Sequence, residues 1–274
     1  MDGQVMTTSQ EALADGRLLL ETRAHVARIT FNNPDRLNAM TLGMWSALAD
    51  VCERLSRSGD ARVVVLQGAG TRAFVSGADI SEFGTVRTGA QAVAHYNAEV
   101  GRAEQALSSM PVPTIAQLRG YCVGGGLGLA ARCDIRICAD DARFAVTPAK
   151  LGLGYGKDSV AALFRLLGPS VSADMLFTAR QVHAPEALRV GLVNQVTPVG
   201  ELDATTAAMA SHIAANAPLT IRLIKASLKA CGQPDDPATT AQLDQMVQTC
   251  YASADYREGQ AAFSEKRKPL FQGK

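Results

Sequence analysis

The amino-acid sequence predicts an α/β core with helices appended at its C-terminal side. Three observations carry the prediction: short apolar strand runs alternate with helical spacing up to about Ser159, a glycine-rich strand-to-helix junction spans 120–131, and almost everything beyond is helical. Of the 274 residues, 47% are hydrophobic and 19% charged, enough apolar surface to bury a large core, which excludes a disordered or fibrous chain. One large domain, or one with an appendage, is expected.

Residues 1–16 read as a flexible polar leader. Residues 18–21 and 26–31 are β-type runs separated by Ala24-His25, as in a hairpin, and Asn32-Asn33-Pro34-Asp35 then breaks the chain. From Thr41, a candidate N-cap, Leu42, Trp45, Leu48, Ala49, Cys52 and Leu55 recur at helical spacing as far as Ser58-Gly59. Val63-Val64-Val65-Leu66 has the continuous apolar character of a strand buried on both faces. The order then repeats, with a strand at 114–118, the glycine-rich turn, a small-residue helix and a strand at 135–138, suggesting stacked β-β-α units.

Helical runs follow at 159–167, 170–178, 203–215, 218–231 and 238–252, the last two separated by Pro234-Asp235-Asp236-Pro237. The expected division is a core over 17–199 and a helical module over 200–274. An amphipathic module beside an α/β core needs a second surface to cover its apolar stripe, so self-association is expected.

The formal net charge of +1 argues against a nucleic-acid or anionic-membrane surface, so an anionic ligand has to be held locally. Cys52, Cys122, Cys133, Cys138, Cys231 and Cys250 lie far apart without a CxxC pair; they signal neither a zinc site nor a disulfide framework. The first residues lack the basic start and apolar core of a targeting segment, and no run reaches the roughly 18 uninterrupted apolar residues of a membrane span. A cytoplasmic protein without a metal is the expectation.

The segment Gly120-Tyr121-Cys122-Val123-Gly124-Gly125-Gly126-Leu127-Gly128 carries the most chemical information. Consecutive glycines there permit close backbone approach and leave N–H groups at the positive end of a helix dipole. Such a junction suits a phosphate, a developing oxyanion or simply tight helix packing.

Four segments in order resemble the enoyl-CoA hydratase/isomerase (crotonase) family: 33–40 (NPDRLNAM), 73–80 (AFVSGADI), the glycine junction, and 263–269 (FSEKRKP). The resemblance covers about residues 17–271 and implies a crotonase (ClpP-like) α/β fold acting on acyl-CoA. It implies that the N–H groups of Ala78 and Gly125 hold a thioester oxygen as it becomes anionic, and that Arg36, Ala39 and Ile80 contact CoA. Phe263 and Lys266 match a C-terminal pair that reaches the nucleotide of CoA, often from a neighbouring subunit of a homotrimer or hexamer. CoA enters as part of the substrate, without a separate cofactor. Arg36 and Lys266 also fit as solvated charges.

Family hydratases use two glutamates for proton transfer, as general acid–base catalysis requires. Gly128 stands at the first position, and counting four back from Gly152 puts Pro148 at the second. Neither can carry a proton. The stretch 147–155, ending in Tyr155, is similar to that of family decarboxylases acting on malonyl-type CoA, where substrate breakdown itself generates the enolate. Tyr155 is either a catalytic hydrogen-bond donor or a core aromatic. A hydratase, isomerase or thioester hydrolase with its acid or base moved to Glu82, Asp158 or another residue, and a non-catalytic acyl-CoA scaffold, are the alternatives; His95, Tyr96 and Lys157 also lie in segments expected near the acyl group.

Overall fold

The computed structural model describes residues 9–274. Two sheets are interleaved along the chain. The larger takes β1 (Ser9–Leu13), β2 (Leu18–Arg23), β3 (Val26–Phe31) and β4 (Val63–Gly68), and the smaller begins with β5 (Ala73–Val75). β6 (Thr114–Leu118), β8 (Ile135–Ala139) and β11 (Gln195–Thr197) complete the larger sheet; β7 (Tyr121–Val123), β9 (Arg143–Ala145) and β10 (Val182–His183) complete the smaller. The strand orders are β1-β2-β3-β4-β6-β8-β11 and β10-β9-β7-β5. From β3 onward the larger sheet is parallel, and β5, β7 and β9 are parallel to one another. Each of the pairs β4/β5, β6/β7 and β8/β9 therefore gives one strand to each sheet, which is the expected stacking of β-β-α units.

The helices are α1 (Leu42–Ser58), α2 (Phe83–Val86), α3 (Ala90–Ser108), α4 (Gly125–Arg132), α5 (Pro148–Leu151), α6 (Lys157–Thr178), α7 (Ala184–Arg189), α8 (Leu202–Ala215), α9 (Pro218–Cys231), α10 (Pro237–Ala252) and α11 (Ala254–Ser264). α1 starts where its cap predicts: the Thr41 hydroxyl accepts from the Met44 N–H, and Gly59 ends the helix at φ 71°. The Val63–Leu66 run is buried on both faces. Val64 and Leu66 join the main core with Trp45, Leu48 and Phe74, while Val63 and Val65 face Leu202, Ala210 and Ala214 of α8.

That second cluster corrects the division at residue 200. α8 covers the larger sheet and belongs to the core layer, because its small residues fit against flat β-branched strands; the helices that stand off the sheet begin with α9. The leader is corrected as well. Ser9–Leu13 pairs antiparallel with β2 through a tight turn at Ala14 and Asp15, so the edge of β2 recruits a segment with little strand signal of its own; residues 1–8 of the expected leader lie outside the described residues.

One described helix, α6, is long and apolar enough by composition to cross a membrane. Gly168 at φ 70° and Pro169 break it into two, however, and it packs against α4. α9 and α10 contain no buried residue, and with α11 they surround a cavity of about 680 Å³ lined by Leu223, Tyr251, Tyr256, Phe263 and Phe271 among others. The chain end folds back on this group: Asp255 accepts from the Gln272 and Gly273 N–H groups at 2.7 and 2.8 Å, and Arg62 reaches the Phe271 carbonyl.

Candidate active site

The site begins where β5 and β7 end. These strands are parallel neighbours, so Ser76-Gly77-Ala78 and Gly124-Gly125 leave the small sheet side by side. A Cβ built on Gly124 would come 3.6 Å from the Gly77 Cα, and one on Gly126 would lie 2.2 Å from the Val75 carbonyl oxygen. Gly126 is therefore a steric requirement, since no side chain fits there between the start of α4 and β5, and Gly124 at φ 56° holds a backbone conformation that side chains disfavour.

Two backbone donors are left over. Met40 bridges this strand end by donating to Gly77 O at 2.8 Å and accepting from the Asp79 N–H at 2.9 Å, which passes over the Ala78 N–H. Gly125 is the first residue of α4, where an N–H has no acceptor within the helix. Neither amide has a hydrogen-bond acceptor among the described residues. Trp45 walls the junction, since a Cβ on Gly125 would stand 3.0 Å from its ring. Its indole N–H donates to the Tyr96 hydroxyl at 3.1 Å, and the Arg87 guanidinium lies 3.7 Å from the centre of the Tyr96 ring.

One turn further along α4, a Cβ on Gly128 would come 3.3 Å from Glu104 Oε1. Glu104 reaches this space from α3 and pairs with Arg132 at 2.7 Å, the two side chains being 12% and 9% exposed. Arg132 also donates to Gly128 O at 2.9 Å. Burial pushes the Glu104 carboxyl above its ordinary value, Arg132 opposes that rise, and Asp158 adds to it. Tyr155 packs on the main core within the field of the same pair. Its phenol is pushed up to about 12, mainly by burial and then by Glu104, so at neutral pH it is a donor and not a base.

Arg36, Ala39 and Ile80 come together around Ala78 because 33–40 leads directly into the Met40 bridge. Arg36 is exposed at the end of a single turn, Ala39 is buried, and Ile80 is 63% exposed. Phe263 and Lys266 lie at the end of α11, Phe263 lining the C-terminal cavity, and the single chain does not bring them to the Ala78–Gly125 junction. Glu82 is already committed, accepting from the Leu42 N–H at 2.9 Å as a cap of α1. His95, Lys157 and Asp158 are exposed, and Pro148 opens α5. No group of three or more metal-ligating side chains occurs among the described residues.

Glu104 has no motif around it in the sequence. The only trace of it is indirect: a glycine at 128, where the resembled family carries a carboxylate, leaves a space that some other side chain has to fill.

The family profile of enoyl-CoA hydratase/isomerase matches residues 21–274. The chain is 33% identical to a short-chain-enoyl-CoA hydratase of Clostridium acetobutylicum over 253 residues, covering 92% of this chain and 95% of that protein. It is 32% identical to a crotonyl-CoA hydratase of Syntrophomonas wolfei, over 94% of this chain and 99% of the relative. A crystal structure of an enoyl-CoA hydratase/carnitine racemase from Magnetospirillum magneticum superposes with a TM-score of 0.89 at 37% identity, covering 97% of each chain. These relatives carry hydratase names, not decarboxylase names. With four motifs in order, the interleaved sheets and these matches along nearly its whole length, the chain belongs to the enoyl-CoA hydratase/isomerase family.

Proposed function

We propose that the chain binds an acyl-CoA thioester, holds its carbonyl oxygen between the Ala78 and Gly125 amides as an enolate forms, and decarboxylates a malonyl-type acyl group. The observation that carries this reading is the pair of unpartnered amides on adjacent strand ends, one of them at the positive end of α4. Loss of carbon dioxide leaves the electron pair of the broken C–C bond on the α-carbon, from which it delocalises onto the thioester oxygen. That step needs no protein base, which suits a site with Gly128 and Pro148 at the two glutamate positions. Tyr155, protonated at neutral pH, would donate to the departing carboxylate or the thioester.

A second reading, hydration or isomerisation with a relocated acid or base, is favoured by the buried Glu104 beside Gly128 and by the names of the relatives. In either case CoA is part of the substrate. Arg36, Ala39 and Ile80 would meet it from the same chain, and Phe263 and Lys266 from a neighbour in a homotrimer or hexamer. The exposed Ile224, Leu228 and Phe263 of α9 and α11 support such association.

Incubation with crotonyl-, 3-hydroxyacyl-, malonyl- and methylmalonyl-CoA, followed by mass spectrometry, separates the readings. Loss of carbon dioxide from a malonyl ester is the expected result. Water gained by crotonyl-CoA, with the malonyl esters untouched, replaces decarboxylation by hydration. Binding without conversion of any ester makes the chain a scaffold.

A further inference from the structure

We infer that Glu104 is the group that carries a proton to and from the α-carbon of the bound thioester, doing from α3 what no side chain on α4 can do at Gly128. This rests on the enolate reading above. Gly125 and Gly128 are three residues apart on α4, so they share a face, with Cβ positions roughly 5–6 Å apart. A thioester oxygen seated on the Gly125 N–H puts the α-carbon one bond beyond the carbonyl carbon, within reach of a carboxyl lodged against Gly128. Glu104 Oε1 is that carboxyl, 3.3 Å from where a Gly128 Cβ would stand.

The surroundings suit a group that must exist in both protonation states. Burial favours the neutral acid, while Arg132 at 2.7 Å favours the carboxylate and receives its charge after the proton leaves. The charged and titratable groups facing Glu104 are Arg132 on the neighbouring helix α4, Asp158 at the start of α6, and Tyr155 in the segment before α6. Glu82, the other nearby candidate, is occupied in capping α1.

In the protonating direction, the O–H bond of Glu104 breaks, its proton bonds to the α-carbon, and the enolate electron pair becomes the new C–H bond. The carboxylate left behind pairs with Arg132 and regains a proton from solvent. In the reverse direction the carboxylate takes the α-proton and the C–H pair moves into the enolate. One carboxyl serves one proton, which matches a reaction that closes on a single protonation and does not activate water.

Exchange of the α-hydrogens of butyryl-CoA in D2O, read by mass spectrometry, tests proton transfer without any decarboxylation. Wild type is expected to take up deuterium with a pH profile showing one carboxyl ionisation, and Glu104→Gln to take it up about 100-fold more slowly while binding butyryl-CoA as before. Uptake by the Gln variant within a few-fold of wild type overturns the proposal, as does a wild type that takes up no label. The double variant Glu104→Ala/Gly128→Glu returns a carboxyl to the same space from α4 and covers the case in which the Gln variant fails to fold. Restored uptake supports the proposal, and a folded double variant without uptake overturns it. Wild type that exchanges label but leaves every malonyl ester intact removes the decarboxylation reading and keeps the assignment of Glu104.

Discussion

The β5/β7 junction and the Glu104–Arg132 pair lie within one turn of α4, yet they are built from different material. At the junction the proposed working groups are backbone amides, and their positions follow from strand pairing and from a glycine that nothing can replace: 2.2 Å from a Gly126 Cβ to the Val75 oxygen leaves no choice. One turn on, the proposed working groups are long side chains from separate helices, held by an ion pair and tuned by burial. The first arrangement contains no titratable group. The second carries charge out of water, so its stability and its chemistry depend on the protonation state of one carboxyl.

The largest expected effect separates these two kinds of construction. Arg132→Leu leaves a buried carboxylate without its partner and should cost about 3–5 kcal/mol in urea unfolding at neutral pH. Burial already holds the Glu104 carboxyl above its ordinary 4.5. The stability contributed by that raised value is therefore complete below 4.5 and lost as pH rises through the folded value. The penalty of Arg132→Leu should shrink in acid accordingly, and an equal loss at about pH 4.5 and about pH 7.5 would mean that Glu104 does not titrate in place.

Gly125→Pro acts on the other half. Proline is accepted at the first position of a helix and removes one N–H, but its ring has to displace Trp45, 3.0 Å from a Cβ at this position; in a variant whose circular dichroism spectrum and urea midpoint match wild type, turnover should fall about 100-fold or more. Full turnover in the folded variant would end the oxyanion assignment. Gly126→Ala probes the rigidity of the junction itself. It should destabilise by about 1–3 kcal/mol in thermal unfolding, towards the upper end because the obstructing atom is backbone; a neutral result would show that α4 can slide away from β5. Tyr155→Phe is the mildest, slowing turnover about tenfold if its hydroxyl donates to the substrate. Unchanged kinetics would leave Tyr155 as a packing residue.

Much of the architecture was legible in local pattern. α1 runs between the predicted Thr41 cap and Gly59, the hairpin of β2 and β3 turns at Ala24-His25, and Val63–Leu66 is buried on both faces. In each case the deciding interactions lie within a few residues, or follow from a run too apolar to face water. β1 and the role of α8 were not legible, because SQEAL becomes a strand only on the edge of β2, and α8 looks like any helix until its small residues meet the sheet.

The same distinction runs through the site. Motif order carried the resemblance to the family, and glycine spacing marked the strand-to-helix junction, since backbone geometry near a glycine is a local property; Ala78 and Gly125 as the oxyanion donors came from the resemblance alone. Only the tertiary structure decided that Glu82 is spent on capping α1 and that Glu104 enters the space beside Gly128. A carboxylate 24 residues away along the chain gains its partner, its burial and its altered acidity from how α3 docks on α4, and nothing in its immediate sequence encodes that docking.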